Sequence, residues 1–283
     1  MARGRSVDSS FFRGSVEPHA PMLDQPNGGR LLYKVMTIEN LVRSVKGSYL
    51  HFNRVNSYSD FPGADQHDGQ QSPTDRPLNE AKKFRNAPQH SLANYYDQCR
   101  ARTYACCFSL ENSDHIWRNF GNGSELGKVC VVFEFGKLRA TLNETLSSTD
   151  TALFYGGIRC RPIFSINYGL IDYVDWEKQR LNSVSLANPI EYTYMKDAKF
   201  LPENELRISL SALGIGKLVL NDGMEMEFPK DLQMTFDFRR ATATNVIREV
   251  KVLKDEHRAA LEAEFRKQGI SLSVPGVAEP QAR

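Results

Sequence analysis

The chain contains 283 residues, of which 41% are hydrophobic and 25% are charged. This composition is close to the average for globular proteins, so a sizeable core can form and disorder of the whole chain is excluded. The formal net charge of +2 excludes a protein that coats nucleic acid through phosphate contacts alone.

The cysteines and the N-terminus indicate a location. Five cysteines occur without CxxC spacing, which argues against a disulfide framework and against a zinc ribbon. The opening stretch MARGRSVDSSFFRG lacks the apolar core of a signal peptide, and no run approaches about 18 apolar residues. We therefore expect a cytoplasmic protein with no membrane partner.

The first predicted elements alternate between strand and helix. LLYKV predicts a strand, and the apolar spacing that follows from Ile38 predicts a helix that Thr37 caps and Gly47 ends. SYLHFN predicts a second strand. The polar stretch from Asn53 to His90 predicts a long loop, which in a compact domain is usually functional or disordered.

Further along the chain, apolar or alternating stretches predict strands, and three- and four-residue spacing predicts helices. The predicted strands are RTYACCFSL, GKVCVVFEF, which is apolar on both faces, residues 158–168, NVIREVKVL and the final GISLSV. The predicted helices are SLANYYDQCRA, a segment that Asn112 or Ser113 caps and Gly121 ends, residues 174–184, and KDEHRAALEAEFRKQ.

These elements predict the domain organisation and the fold class. Residues 1–29 are rich in Gly, Pro, Ser and charge and predict a loosely ordered N-terminal arm, and residues 30–283 predict a single domain. Strands interleave with helices without the regular spacing or the glycine fingerprints of parallel βαβ units, so we expect an α+β fold.

Few residues match a known catalytic or metal-binding pattern. No GxGxxG follows a strand, and neither GxxxxGK[ST] nor HExxH occurs. Asp65, His67 and Asp68 are possible metal ligands, although a solvated loop of this composition is more often inert, and we predict no metal site. Cys106 and Cys107 lie in an apolar strand, where cysteine usually behaves as a small hydrophobe.

The stretch KFLPENELRIS places two glutamates two residues apart in a predicted strand. Side chains alternate along a strand, so Glu203, Glu205 and Arg207 should share a face. One interpretation is a solvated row in which Lys199 and Arg207 offset the repulsion. The other is one wall of an active site, where paired carboxylates stabilise an oxocarbenium-like centre and assist a nucleophile.

Other polar and aromatic residues have two interpretations each. Ser109 closes a strand, where it either stabilises the turn or reaches a cleft. Of Tyr33 and Lys34, one should face the core and the other a pocket or solvent. Trp117 and Phe120 are either core residues or a platform on which a nucleobase or nicotinamide ring stacks.

The order of these motifs resembles a bacterial domain family associated with phage-defence and abortive-infection loci. The resemblance covers about residues 31–255 and rests on a tyrosine-lysine strand, a C-F-S strand with a tryptophan helix, a buried strand, an E-x-E-x-R strand and a closing E-V strand. Here they are LYK with TIENLVRSVKG, ACCFSLENSDHIWRNFG, GKVCVVFEF, KFLPENELRIS and VIREVKVL.

The same order is more distantly similar to the ADP-ribosyltransferase fold, a mixed, mostly antiparallel split sheet flanked by helices. TIENLVRSVKG looks like the opening helix of the DNA-modifying branch of these enzymes. The resemblance implies that NAD is the substrate. It assigns the NAD ribose to Tyr33 or Lys34, the nicotinamide to Ser109 with Trp117 and Phe120, catalysis to Glu205 and assistance of the acceptor to Glu203.

We therefore expect a toxin or defence effector that cleaves NAD and passes ADP-ribose to a nucleic acid or protein acceptor, with a possible antitoxin or defence-system partner. One alternative is a non-catalytic domain that senses or binds a ligand. Another is a metal-dependent nuclease that uses Asp65, Asp68 and the glutamates.

Overall fold

The computed structural model describes residues 14–60, 63–148, 152–160, 163–181, 187–212 and 217–269. The helices of these segments are α1 (Ile38–Gly47), α2 (Arg76–Ala81), α3 (Leu92–Arg100), α4 (Asp114–Asn119), α5 (Phe135–Ser147), α6 (Pro189–Thr193), α7 (Phe238–Ala243) and α8 (Asp255–Lys267). Short 3-10 helices span Ala20–Met22, Val55–Asp60 and Ala198–Glu203.

The strands form one large sheet and several two-stranded ladders. They are β1 (Leu31–Thr37), β2 (Tyr49–Arg54), β3 (Lys83–Phe84), β4 (Ala87–Ser91), β5 (Thr103–Ser109), β6 (Lys128–Glu134), β7 (Leu153–Tyr155), β8 (Ile158–Arg159), β9 (Ser165–Leu170), β10 (Asp172–Val174), β11 (Met195–Asp197), β12 (Glu205–Ser211), β13 (Leu218–Val219), β14 (Glu225–Met226), β15 (Asp231–Thr235) and β16 (Ile247–Val252).

The large sheet is antiparallel and divides at β5. Strand β12 pairs with all of β5 along one edge. The other edge of β5 pairs with β1 at Ser109 and with β2 at Ala105 and Tyr104, so β1 and β2 diverge from it. One wing continues from β1 through β6 to β16, and the other from β2 through β15 and β7 to β8. The fold is therefore a mixed α and β fold with a mostly antiparallel sheet and flanking helices, as predicted.

Local signals explain the first helix. Thr37 Oγ1 accepts a hydrogen bond from the backbone N–H of Asn40 at 3.1 Å, as a helix N-cap does. The predicted apolar stripe is buried, and the helix ends at Gly47 as expected. Ser48 then takes the left-handed conformation at φ 52°, which closes the helix.

Two faces of the strand β12 meet different surroundings. Its apolar face, formed by Leu206, Ile208 and Leu210, belongs to the main hydrophobic core. Its polar face, formed by Glu205, Arg207 and Ser209, lies under a second layer that includes α3, α6 and the loop before α2. This layer has its own smaller core of Leu92, Tyr96, Trp176, Ala187, Tyr192 and Met195.

Residues 14–29, within the predicted arm, contact the edge of the sheet. The backbone N–H of Glu17 donates to Ile166 O at 2.8 Å, and Ile166 N donates to Ser15 O at 3.0 Å. Arg139 donates to both carboxylate oxygens of Glu17 at 2.6 Å each. The packed part of the chain therefore begins well before Leu31.

Several predicted elements differ from the structure. The predicted helix over 174–184 is wrong, because β10 ends at Val174 and turns follow it up to residue 181. The predicted strand over 158–168 is two strands, β8 and β9. The predicted loop over 53–90 contains a 3-10 helix, α2, β3 and most of β4. The remainder of the predicted helix from 182 and most of the final predicted strand, from 270, lie outside the described residues.

Candidate functional site

Three residues singled out from the sequence lie side by side across three neighbouring strands. Tyr33 on β1 is opposite Ser109 on β5, and Ser109 is opposite Glu205 on β12. Residues that are directly opposite in antiparallel strands project to the same side of the sheet, with Cβ atoms about 4.5–5.5 Å apart. The three side chains therefore form one row on the polar face, which we call the Tyr33–Glu205 row.

The two glutamates approach each other through a turn. Glu203 ends a 3-10 helix, Asn204 is left-handed at φ 43°, and Glu205 begins β12. The expectation that both glutamates lie on one strand is therefore wrong. Asparagine tolerates this conformation better than most residues with a side chain, because its short amide forms local hydrogen bonds.

The glutamates belong to a buried cluster of charges. Lys196 Nζ lies 2.5 Å from Glu203 Oε2 and 2.9 Å from Glu205 Oε2. Arg207 Nε donates to Glu205 Oε1 at 2.8 Å. The two terminal nitrogens of Arg207 donate to the two oxygens of Asp68, at 2.6 and 2.8 Å. We call these five residues the ion cluster.

Burial excludes the solvated row as an interpretation of the glutamates. Glu203, Glu205 and Arg207 are 8%, 4% and 0% exposed. The prediction that Lys199 offsets the repulsion between the glutamates is also wrong. Its ammonium lies over the ring of Phe200, and the glutamates bind Lys196 instead. The prediction that Arg207 is a partner on the same face as Glu205 is confirmed.

The ion cluster shifts the pKa values of its two glutamates in opposite directions. Burial alone would raise the pKa of Glu205, but the charges of Arg207 and Lys196 outweigh it and hold that pKa well below its usual range. Burial raises the pKa of Glu203 from 4.5 to about 7; Lys196 opposes this rise, and the charge of Glu205 adds to it. Glu205 is therefore a permanent carboxylate, and Glu203 can exchange a proton near neutral pH.

Groups from other elements lie near Glu205. Its backbone N–H donates to the hydroxyl of Tyr173 at 2.8 Å. Tyr58 OH lies 3.4 Å from Cys107 Sγ and donates to Ala105 O. Burial raises the pKa values of the Cys106 and Cys107 thiols, so neither is poised as a thiolate nucleophile.

A cavity of about 660 Å³ opens beside Tyr33, the first residue of the row. Polar groups from the segment before β1 and from the loop after β5 line most of it. Ser113 Oγ is buried there and has no hydrogen-bond partner among the described residues. The lining residues are Asn27, Gly29, Arg30, Leu31, Tyr33, Leu110, Glu111, Asn112 and Ser113. This volume lies within the usual range for small-molecule pockets.

The remaining predicted residues have different surroundings. Lys34 Nζ donates to Cys107 O at 3.0 Å in the gap between β1 and β2, where Tyr58 also reaches a β5 carbonyl. Trp117 is buried against the β1–β6 part of the sheet and donates to Asn112 Oδ1 at 2.8 Å. Phe120 follows α4 and is 39% exposed. Tyr33 is thus the residue of the Tyr-Lys pair that lines the cavity.

The loop residues considered as metal ligands serve other contacts. Arg207 occupies both oxygens of Asp68, and Asp65 accepts hydrogen bonds from backbone N–H groups. Within the described part of the chain, no group of three His, Cys, Asp or Glu residues is arranged to hold a metal ion.

Sequence reasoning missed Lys196, and it grouped Asp68 with the glutamates only as a metal ligand of the nuclease alternative, not as the partner of Arg207. Lys196 lies in a short strand, and Asp68 lies in a loop more than 130 residues before Arg207. The only local signal was the polar, turn-rich DQHDG, which was compatible with any solvated loop.

Comparison with protein-family models gave no match, and comparison with curated proteins gave none either. Among the described residues, no helix combines the length and the apolar character needed to cross a membrane.

Proposed function

We propose that this protein is an ADP-ribosyltransferase-like toxin or defence effector that cleaves NAD and transfers ADP-ribose to a macromolecular acceptor. The Tyr33–Glu205 row carries the proposal, because it aligns three positions to which the sequence resemblance assigns ribose binding, nicotinamide binding and catalysis. The division of the sheet at β5 supports the finer fold assignment, an ADP-ribosyltransferase-like split sheet.

The charge state of Glu205 suits the bond-breaking step. Cleavage of the nicotinamide–ribose bond leaves positive charge on the ribose, and a fixed carboxylate in a buried site stabilises that charge more strongly than water does. Arg207 and Lys196 hold Glu205 ionised. Nicotinamide leaves with the bonding electron pair.

Glu203 suits the second half of the reaction. A nucleophile on the acceptor attacks the ribose carbon and loses a proton, and a general base is most effective when its pKa lies near the working pH. Glu203, with its pKa raised by burial to about 7, receives that proton in our proposal. The acceptor is a nucleic acid or a protein.

The cavity beside Tyr33 supports a binding role for the row. It supplies the guanidinium of Arg30 and the phenol of Tyr33 to a polar ligand. Glu205 itself is buried, and Leu110 N donates to Asn204 O at 2.8 Å, which joins the segment after β5, where the cavity lies, to the segment before β12. We propose that NAD enters at the cavity and reaches Glu205 when these two segments part.

The closed ion cluster favours a second candidate function. If Glu203 and Glu205 serve only to balance Lys196 and Arg207, the protein is a non-catalytic domain that binds a ligand in the cavity. Both candidates fit a cytoplasmic defence protein with an antitoxin or defence-system partner.

Nicotinamide release from NAD by the purified protein tests the proposal, together with mass spectrometry for ADP-ribose on candidate proteins and nucleic acids. We expect Glu205→Gln to lower NAD cleavage by at least about 100-fold, because it removes the charge that stabilises the transition state. Glu225→Gln, an exposed glutamate in β14, is the matched control and should retain wild-type activity.

Equal turnover of NAD by wild type and Glu205→Gln would overturn the catalytic role. Calorimetric binding of NAD without turnover would favour the second candidate. Circular dichroism of each variant shows whether a loss of activity occurs in a folded protein.

A further inference from the structure

Lys196 is the cation that contacts both glutamates of the site. It lies on β11, which pairs in parallel with β10, and its side chain is 8% exposed. We infer that Lys196 is a positioning residue for the reaction proposed above: its ammonium holds Glu203 and Glu205 together and divides the two roles between them. The inference rests on the proposed function.

The contacts of the two carboxylates are unequal. Glu205 is held from two sides, by Arg207 at Oε1 and by Lys196 at Oε2. Glu203 receives its charged contact from Lys196 alone among the described residues. Loss of the ammonium therefore leaves Glu205 with one contacting cation and leaves Glu203 with no cation in contact.

The charge balance of the ion cluster supports this division. It contains three carboxylates and two cations, so full ionisation would leave one excess negative charge in a buried site. Such a charge is costly, and the group with the weakest cationic support takes up a proton first. The raised pKa of Glu203 agrees with that assignment.

Other groups that face the cluster do not replace Lys196. Cys107 on β5 and Tyr173 on β10 have pKa values raised by burial and stay neutral. Within the cluster, Asp68 is the third carboxylate, and burial raises its pKa as well. Arg207 contacts Asp68 and Glu205 through its guanidinium. Removal of Lys196 should therefore raise the pKa of Glu203 further.

The experiment compares Lys196→Gln with Lys199→Gln, a control that removes a lysine three residues away. Carbon-13 NMR of glutamate carboxyl groups follows the titration of Glu203, which Glu203→Gln identifies. Because an opposite charge this close shifts a carboxyl pKa by about 1–3 units, Lys196→Gln should move the Glu203 titration up by about 1 unit or more, and Lys199→Gln should not move it.

Activity supplies the functional readout. In wild type, the rate of ADP-ribose transfer to the acceptor identified by mass spectrometry should rise with pH through the Glu203 titration. Lys196→Gln should shift this pH dependence to higher pH by the same amount as the NMR titration. Lys196→Arg, which retains the charge, should keep a pH profile close to that of wild type. A purely structural lysine would lower activity without moving the pH profile.

The outcomes separate this inference from the proposed function. If Lys196→Gln leaves the pKa of Glu203 unchanged in the NMR titration, the inference is overturned. It is also overturned if that pKa shifts and the pH dependence of activity does not. A wild type that does not cleave NAD overturns the proposed function and the reaction role, while NMR still tests the contact. If Lys196→Gln does not fold, proton NMR of the wild type replaces it. The ammonium protons of Lys196 should exchange slowly and show Overhauser contacts to both glutamates. Absence of these contacts overturns the inference.

Discussion

The two faces of β12 carry side chains of opposite chemistry over the same seven residues. On the apolar face, Leu206, Ile208 and Leu210 are fully buried in the main core. On the polar face, Glu205 and Arg207 are as deeply buried, and each of their charges needs a partner. Equal burial therefore has different energetic consequences on the two faces. Burying an apolar side chain stabilises the fold by itself, whereas a buried charged side chain is tolerated only when its charge is paired within a complete cluster.

The largest expected effect on stability comes from removing a charged side chain from the polar face of β12. Arg207→Met should lower the free energy of unfolding by about 3–5 kcal/mol, because it leaves Asp68 and Glu205 buried with one cation fewer. Arg248→Met is the matched control, since Arg248 makes an exposed contact with Glu134 at 3.3 Å that is worth about 0–1 kcal/mol. Urea unfolding measured by circular dichroism gives both values. Similar losses in the two variants would contradict the importance of the cluster.

A smaller effect concerns the pH dependence of stability. The pKa of Glu203 is raised from 4.5 in the unfolded chain to about 7 in the folded protein, so the folded state binds more protons between these values. Its contribution to stability is therefore lost as pH rises through this window, by about 3 kcal/mol in total. Glu205 has the opposite sign: its depressed pKa gives stability above the unfolded value that is lost in acid.

Glu203→Gln tests this pH dependence. Between about pH 5 and pH 8, the free energy of unfolding should fall less for the variant than for wild type, because glutamine does not titrate. His51, whose pKa burial lowers, contributes the opposite slope in both proteins, so the difference between them isolates Glu203. Thermal unfolding across the range is the measurement, with Glu225→Gln as control. Parallel curves for wild type and Glu203→Gln would show that Glu203 does not titrate there.

The smallest effects should distinguish Tyr33 from Lys34. Tyr33→Phe removes a hydroxyl from the cavity and should raise KM for NAD about fivefold, the equivalent of one hydrogen bond, with little change in stability. Lys34→Met leaves Cys107 O without its side-chain donor and should lower stability by about 1–2 kcal/mol with an unchanged KM. The reverse pattern would place the substrate between β1 and β2 instead of in the cavity.

Sequence patterns predicted the elements whose signals are local. The stripe of α1, its Thr37 cap and the apolar strand β6 are confirmed. Residues 174–181 were misassigned, because helical spacing alone does not show that Val174 pairs with Asp197 or that the backbone of Gln179 and Leu181 bonds to the segment before α2. In such segments tertiary pairing overrides local preference.

Several residues of the candidate site were named from the sequence, but their arrangement was not. Tyr33, Ser109 and Glu205 were named from the sequence, but only the strand register shows that they are neighbours. The partners Lys196 and Asp68 come from segments without a motif of their own. Contacts across such distances depend on the whole fold, and the spacing of charges within one stretch does not encode them.

The left-handed conformation of Asn204 explains how two glutamates in E-x-E spacing reach the same lysine. It turns the chain from a 3-10 helix into β12 and brings two acidic side chains to one ammonium. A β-branched residue at this position would resist the positive φ and pull the glutamates apart without altering either one. A search for related proteins should therefore weigh the residue between the glutamates, where glycine or asparagine preserves the geometry, as heavily as the glutamates themselves.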